Sequence, residues 1–224
     1  MNAGGVALDA NFLARLKLVS WDVDGTLYPM RAVRLWTAWL ALVTARGDDG
    51  TTIFRGAALR GYLRHRRAVE LARAGTTAPG SPIAPDAGAA TFVREILAPA
   101  IGRVGLRTGV AAALDALDAR GVVQVIASDY GAAEKLAALG VAGRFRAAYA
   151  GDALGLVKPH PGMLARLAAD FAVSADEMLH IGDRAATDGA AAAAFGCRCL
   201  LVGGRGGRAL QALAAAVSAS QVRG

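Results

Sequence analysis

Short apolar runs of strand length alternate with helical segments from residue 106 onwards, and this alternation constrains the fold more than any other feature. The pattern is typical of parallel strands joined by helical crossovers. Residues 16–21 form one more such run near the start of the sequence. We therefore predict an α/β fold, with a Rossmann-like parallel sheet core and helices on both faces. The later strands are predicted at residues 122–127, 147–149, 178–181 and 197–202.

A long segment separates the first predicted strand from the second. Asp22 precedes Ser128 by 106 positions, whereas one strand–helix–strand unit needs roughly 30 residues. The surplus lies in residues 30–106, whose patterns indicate only helices. We expect a core domain made of residues 1–29 and 107–224, with an all-helical domain inserted at 30–106.

Three helices are predicted within this insertion, at residues 30–47, 53–74 and 86–97. Asp86 is a good N-cap for the third, because its carboxylate can accept a hydrogen bond from the first turn. In the first helix, apolar residues at spacings of three and four predict the buried face, which comprises Trp36, Trp39, Leu40 and Val43.

Polar residues follow the predicted strands where the strands end. Asp22 and Asp24 come directly after the first strand, and both precede a glycine. This pattern fits an ordinary Asp-Gly turn, but it also fits a functional edge, since α/β proteins place their sites at the carboxyl ends of the strands. Two carboxylates about 4 Å apart repel by about 4 kcal/mol at an effective dielectric near 20. Such a pair needs a cation, a shared proton or a greater separation.

Three further polar segments are predicted at the same edge of the sheet. They are Ser128-Asp129, the segment Lys158-Pro159-His160-Pro161, and the segment from Gly182-Asp183 to Asp188. Each of them has a structural interpretation. Ser128 fits a helix cap, Lys158 a solvated lysine, and Asp188 a helix N-terminus. We interpret His160 and His180 as packing or hydrogen-bonding residues.

The composition indicates a basic globular protein. The 224 residues carry a formal net charge of +7, and all but three of the 25 lysines and arginines are arginine. A basic protein attracts anions, which include phosphorylated metabolites and nucleic acid. The predicted helix at residues 53–74 carries five basic residues: Arg60, Arg64, His65, Arg66 and Arg67. They form either an anion-recognition patch or a solvated face, and we favour the solvated face.

Nothing in the sequence predicts a membrane or secretory protein. No uncharged apolar run reaches the roughly 18 residues that a membrane span needs, and the first fourteen residues lack lysine and arginine. Cys197 and Cys199 flank Arg198, a spacing that suits two neighbours on one strand better than a disulfide or a metal site. We therefore expect a cytoplasmic protein whose cysteines are structural.

Taken together, the four polar segments resemble those of the haloacid dehalogenase-like superfamily, which consists largely of magnesium-dependent phosphatases. The resemblance covers residues 16–29 and 106–203, and the insertion resembles the family's helical cap in position and helical character. It implies that Asp22 is the nucleophile that forms an aspartyl-phosphate, and that Asp24 protonates the leaving oxygen and later deprotonates water. It also implies that Lys158 neutralises charge on the nucleophile and the phosphoryl oxygens.

The resemblance also implies a metal site and contacts to the phosphoryl group. Mg²⁺ would be held by the Asp22 carboxylate, the main-chain carbonyl of Asp24 and the carboxylate of Asp183, with Asp188 supporting the site from behind. Ser128 would donate a hydrogen bond to the phosphoryl group. The sequence departs from the family's pattern at two positions. Asp129 stands where asparagine is frequent, which adds negative charge near a bound phosphate, and Arg184 stands where a small hydroxyl residue is frequent.

The second aspartate bears on the type of reaction. Family members that expel a halide lack an acid at the position of Asp24, because halide needs no proton. We therefore expect a magnesium-dependent phosphatase acting on a small phosphorylated metabolite. Two alternatives remain. They are a sugar phosphomutase with the same residues, and a non-catalytic basic protein that binds RNA or another anionic partner. Nucleic acid is the less favoured partner, and the sequence gives no indication of oligomeric state.

Overall fold

The computed structural model describes residues 8–44, 52–203 and 207–221 of the chain. Its sheet has five parallel strands in the order β3-β2-β1-β4-β5. The strands are β1 (Leu18–Trp21), β2 (Val123–Ser128), β3 (Ala147–Ala150), β4 (Met178–Gly182) and β5 (Arg198–Leu201). The parallel α/β prediction is therefore confirmed, with strand ends that differ by one residue or two.

Two groups of helices surround these strands. Between β1 and β2 the described residues are helical in α2 (Met30–Thr44), α3 (Thr52–Arg73), α4 (Ala87–Phe92), a π-helical turn (Val93–Leu97) and α5 (Ala98–Val104). The others are α1 (Ala10–Arg15), α6 (Val110–Ala119), α7 (Ala133–Ala138), α8 (Gly151–Leu154), α9 (Gly162–Asp170), α10 (Ala190–Phe195) and α11 (Gly207–Gln221), with further π or 3₁₀ turns at Ala142–Arg144, Ala175–Glu177 and Ala185–Gly189.

Apolar side chains pack on both faces of the sheet, because successive side chains along each strand point to opposite faces. Val19 and Ile126 belong to one cluster, and Leu18 and Val125 belong to the other. The first cluster also contains Ile96, from the inserted helices. The inserted helices therefore share part of their apolar core with the sheet.

The predicted buried face of α2 is wrong at its tryptophans. Trp36 is 36% exposed and Trp39 is 50% exposed, whereas Val33 is fully buried and Leu40 packs against the core cluster. The apolar residues of α2 are spread around its whole circumference, so their spacing is compatible with more than one buried face. Tertiary packing decides which face is buried. The side chain of Val43 is not among those that the structure describes, and the predicted helix end at Gly47 lies outside the described residues.

The third inserted helix begins as predicted but does not end at Leu97. The Asp86 carboxylate accepts a hydrogen bond from Ala89 N at 2.8 Å, which caps α4. After the π-helical turn the chain continues as α5 to Val104. Pro99 lies in the first turn of α5, where the missing N–H costs least.

Within the described residues, no helix combines the length and apolar character needed to cross a bilayer. The cysteines are both free thiols, as predicted. Burial raises the pKa of each thiol to about 12, which keeps it protonated and inert at neutral pH.

Candidate active site

The carboxyl ends of β1, β2 and β4 bring the predicted polar residues to one edge of the sheet. Asp22 follows β1 and its N–H donates to Ile181 O of β4 at 2.8 Å. The turn after Asp22 is fixed by Arg107, whose guanidinium donates to the carbonyls of Gly25 and Thr26. Thr26 in turn donates its hydroxyl to Asp22 Oδ2 at 2.9 Å. Backbone bonds and side chains together therefore orient the Asp22 carboxylate.

Gly25 allows a second carboxylate to approach this turn. Its φ is +93°, a conformation that favours glycine. A Cβ at this position would lie 2.1 Å from Asp183 Oδ2. Only a residue without a side chain lets Asp183 occupy its place beside the turn.

Three acids form a cluster at this edge. Asp22, Asp183 and Asp188 each present one carboxylate oxygen, and these three atoms lie within 4.8 Å of one another. Asp22 and Asp188 are buried, and Asp183 is half-buried. Three of the four predicted metal residues are therefore brought together through their side chains.

Lys158 is buried among these acids. Its Nζ donates to Asp22 Oδ1 at 2.7 Å, to Asp188 Oδ1 at 2.6 Å and to Ala127 O at 3.0 Å. Burial favours the neutral amine, but the charges of Asp22 and Asp188 outweigh it and hold the pKa of Lys158 above its ordinary value. The side chain is therefore a permanent ammonium and not a solvated lysine.

One ammonium does not balance the three acids. Burial raises the pKa of Asp22 to about 7, Lys158 opposes this effect, and the negative charges of Asp188 and Asp24 add to it. Burial and the charge of Asp188 raise the pKa of Asp183 to about 6. In the described part of the chain, no group donates a hydrogen bond to the Asp183 carboxylate. Clustered hard oxygen donors with excess negative charge fit a divalent cation such as Mg²⁺.

Asp188 has partners on both carboxylate oxygens. Oδ1 is shared by Lys158 and by Nε2 of His180, at 3.1 Å, and Oδ2 accepts from Arg184 N at 3.1 Å. Burial lowers the pKa of His180, so its ring is neutral, and Ser20 Oγ lies 2.9 Å from its Nδ1. His180 is thus a buried hydrogen-bonding residue, as interpreted from the sequence, and it orients Asp188.

Asp24 is not one of the three clustered acids, and its carboxylate contacts a partner that sequence reasoning missed. Lys135 Nζ lies 2.8 and 2.6 Å from its two carboxylate oxygens, and Tyr28 donates its hydroxyl to Oδ1. Burial alone would raise the pKa of Asp24, but Lys135 and Tyr28 lower it below its ordinary value. Lys135 is only 2% exposed. The scarcity of lysine in this chain was the one signal that could have identified it.

β2 ends at Ser128, and Asp129 follows it directly. Ser128 is buried, its Oγ accepts from Tyr130 N at 3.3 Å, and it does not line the cavity of about 40 Å³ around the acids. Asp129 Oδ1 accepts from Lys158 N at 2.8 Å, and Oδ2 accepts from Arg73 at 2.7 Å. Arg73 therefore balances the extra negative charge at position 129.

A larger cavity of about 640 Å³ lies between the strand ends and the inserted helices. Asp183 and Arg184 line it from the core, and Arg34, Tyr62 and Arg66 line it from the insertion. Asp24 and Asp183 line both this cavity and the small one around the acid cluster. A ligand could therefore place one group at the acids and the remainder among the arginines.

The five basic residues predicted on α3 do not share one face. His65 is buried, with Nε2 3.0 Å from Asp152 Oδ2. Arg66 is half-buried at the large cavity, with its guanidinium carbon 6.0 Å from the Tyr62 ring centre. Arg64 is exposed and donates to Asp86 at 2.5 Å. Arg60 and Arg67 are also exposed.

Comparison with solved structures shows the same fold in several enzymes. CbbY from Rhodobacter sphaeroides, in complex with xylulose-(1,5)bisphosphate, has a TM-score of 0.57 and 20% identity, over 84% of this chain and 87% of that one. A predicted phosphoglycolate phosphatase from Haemophilus somnus 129PT has a TM-score of 0.53 and 22% identity, over 84% and 85%. The L-2-haloacid dehalogenase of Xanthobacter autotrophicus has a TM-score of 0.53 and 22% identity, over 82% and 76%.

Sequence comparison identifies the family. No functionally curated protein gives a significant match. The family model of haloacid dehalogenase-like hydrolases matches residues 16–196, which is most of the chain. The resemblance predicted from the four polar segments is confirmed, and this protein belongs to the haloacid dehalogenase-like hydrolase family.

Proposed function

We propose that this protein is a magnesium-dependent phosphatase that hydrolyses a small phosphomonoester through an aspartyl-phosphate on Asp22. The observation that carries the proposal is the cluster of Asp22, Asp183 and Asp188 with the buried ammonium of Lys158 bonded to two of them. The family supports a hydrolase. Solved relatives include a predicted phosphatase and a protein in complex with a sugar bisphosphate.

In the proposed reaction Asp22 attacks the phosphorus atom. A carboxylate oxygen of Asp22 forms the new P–O bond while the bond to the leaving oxygen breaks. The ammonium of Lys158 beside Asp22 Oδ1 favours the ionised form of this carboxylate and would offset charge on the phosphoryl oxygens. Mg²⁺ held by Asp22, Asp183 and the main-chain carbonyl of Asp24 would neutralise phosphoryl charge. Asp188 would support these ligands from behind, through its bonds to Lys158 and His180.

Asp24 would manage the proton in both steps. Its carboxyl group gives a proton to the leaving oxygen in the first step. In the second step it takes a proton from water as the water oxygen bonds to phosphorus and the bond from phosphorus to Asp22 breaks, which releases inorganic phosphate and restores the carboxylate. Lys135 keeps it ionised in the structure, which is the form needed for the second step. In the first step, protonation of Asp24 is needed only when the leaving group is a poor one. Ser128 would donate a hydrogen bond from its hydroxyl to the phosphoryl group. Asp129 would lie near that group, held there by the hydrogen bond that it accepts from Lys158 N.

We further propose that residues 30–106 form a cap domain over a core made of residues 1–29 and 107–224. The support is the large cavity, which has core residues on one side and inserted helices on the other. Arg34, Arg66 and Arg184 line it and favour an anionic substrate. They support a small phosphorylated metabolite as the substrate class.

A sugar phosphomutase is the second candidate, and the size of the cavity favours it. A cavity of about 640 Å³ that is also lined by arginines would give a sugar bisphosphate room to reorient, so that either phosphate could reach the acid cluster. A mutase would isomerise a sugar phosphate in the presence of a bisphosphate activator and release little phosphate. Product analysis separates the two functions.

The test is phosphate release from p-nitrophenyl phosphate with and without Mg²⁺, followed by a screen of sugar phosphates, nucleoside monophosphates, phosphoglycolate and amino-acid phosphates. We expect activity that EDTA removes and Mg²⁺ restores, and that Asp22→Asn abolishes. Asp115→Asn is a matched control, because Asp115 is exposed and pairs with Arg144. Turnover that survives Asp22→Asn would exclude the nucleophile assignment.

A further inference from the structure

Arg73 connects the last turn of the inserted helix α3 to two residues of the core. Its Nε donates to Lys158 O at 2.9 Å, and its Nη2 donates to Asp129 Oδ2 at 2.7 Å. The side chains of Arg73 and Asp129 are only 12% and 10% exposed. Because both groups are largely desolvated and well aligned, this pair is a structural contact and not a loose surface pair.

Asp129 completes a closed ring of contacts around Lys158. Its second oxygen, Oδ1, accepts the N–H of Lys158 at 2.8 Å. The backbone of Lys158 is therefore held at its N–H by Asp129 and at its carbonyl by Arg73, and these two side chains hold each other. Only a guanidinium donates in two fixed directions in this way; a lysine amine at position 73 would be a single point of contact.

The backbone of Lys158 decides where its ammonium lies. Nζ sits at the end of four flexible methylene groups and must reach Asp22 at 2.7 Å and Asp188 at 2.6 Å at the same time. Pro159 follows and has no N–H to anchor the chain. The ring formed with Arg73 and Asp129 supplies the anchor on both sides of residue 158.

We propose that Arg73 is a positioning residue: with Asp129 it fixes the backbone of Lys158, so that the inserted helix α3 sets the place of the ammonium beside Asp22. This inference rests on the proposed function of Lys158. It also gives a physical reason for aspartate at position 129, since a carboxylate can accept from both Lys158 N and Arg73.

The first experiment measures kcat and KM for the magnesium-dependent hydrolysis of p-nitrophenyl phosphate. We expect Arg73→Met to lower kcat about 100-fold, the effect typical of a displacement of about 1 Å at a reacting group, with little change in KM. Arg64→Met is the matched control, because Arg64 lies on the same helix and pairs with Asp86. If Arg73→Met does not fold, Arg73→Lys keeps the charge but loses the two-directional donation, and the same fall in kcat is expected.

A double-mutant cycle tests whether Arg73 and Asp129 act as one unit. The variant Arg73→Met with Asp129→Asn is expected to be no slower than the slower single variant. The proposal is overturned if the losses in kcat of the two single variants multiply in the double variant. It is also overturned if kcat for Arg73→Met stays within about twofold of the parent.

Hydrogen exchange at the amide of Lys158 supplies a readout that does not need activity. This N–H is bonded to Asp129, so its exchange is expected to be at least about tenfold faster in Arg73→Met and unchanged in Arg64→Met. Unchanged exchange in Arg73→Met contradicts the ring. If exchange responds as expected but the parent protein hydrolyses no phosphate ester, the proposed function fails while the structural coupling holds.

Discussion

Lys135 and Asp24 form a buried ion pair in which one ammonium lies 2.6 and 2.8 Å from the two carboxylate oxygens. Lys135 comes from α7 and Asp24 from the turn after β1, 111 positions apart in the sequence. The pair fixes both the direction and the ionisation of Asp24. In the proposed reaction Asp24 needs a proton for one step and must be without it for the other, so we expect this pair to set the response to different leaving groups.

Lys135→Met tests this control. Without the ammonium, burial dominates and the pKa of Asp24 rises. A protonated Asp24 helps an alkyl leaving group, so hydrolysis of an alkyl phosphate is expected to persist to higher pH in the variant, with the falling limb of its pH profile shifted upward. Hydrolysis of p-nitrophenyl phosphate needs no acid in the first step and should lack this shift. The measurement is the pH profile of kcat for both esters.

Lys17→Met is the control for losing an ion-paired lysine, since Lys17 pairs with Glu177 and is exposed. An identical pH profile for the alkyl ester in the parent and in Lys135→Met would show that Lys135 does not set the protonation of Asp24.

Asp183→Asn tests the excess negative charge of the acid cluster. The folded-state pKa of Asp183 is raised to about 6 from 3.8, so its ionisation destabilises the fold as the pH rises through this window. At pH 8 in EDTA the variant is expected to be more stable than the parent by about 1 kcal/mol, after allowance for solvent screening at this half-buried group. Thermal unfolding measures the difference. Mg²⁺ should raise the melting temperature of the parent and have little effect on the variant.

Asp176→Asn is a suitable control, because Asp176 is an exposed acid that pairs with Arg15 at 3.7 Å. Equal stabilisation of the parent and Asp183→Asn by Mg²⁺ would remove Asp183 from the metal site.

The sequence predicted the sheet and the edge at which the polar residues meet, because both follow from local patterns. Strand length, the polar residues at strand ends and the crossover spacing needed no long-range information, and they placed Asp22, Asp183 and Lys158 correctly at one edge. Lys135 and Arg73 were missed because each lies on a helix whose neighbours depend on the tertiary fold. The buried face of α2 was wrong for a related reason, since its apolar residues permit several faces.

Gly25→Ala tests the close approach of Asp183 to the turn after β1. Two costs combine here, because φ is +93° and the new Cβ would lie 2.1 Å from Asp183 Oδ2. Gly121→Ala separates them, since Gly121 has φ +68° with open space around its Cβ position. The control is expected to lose about 1–2 kcal/mol from the backbone conformation alone. Gly25→Ala should lose more and should also weaken Mg²⁺ binding, because Asp183 must move.

Urea unfolding measures the stability of both variants, and titration calorimetry measures Mg²⁺ affinity. Parent-like Mg²⁺ affinity in folded Gly25→Ala would mean that the position of Asp183 beside Gly25 is not needed for the metal.

Arg66→Met tests whether the large cavity recognises a second anionic group on the substrate. Arg66 is half-buried, lines the cavity and lies near the Tyr62 ring. Removing its charge should raise KM about tenfold for substrates with a second phosphate or a carboxylate, which corresponds to a loss of about 1.4 kcal/mol. KM for p-nitrophenyl phosphate, which has no second anion, should change little. Arg67→Met is the matched control, because Arg67 is the next residue on α3 and is exposed. The same rise in KM for both substrate types would show that Arg66 acts on the shared phosphoryl group and does not select a second charge.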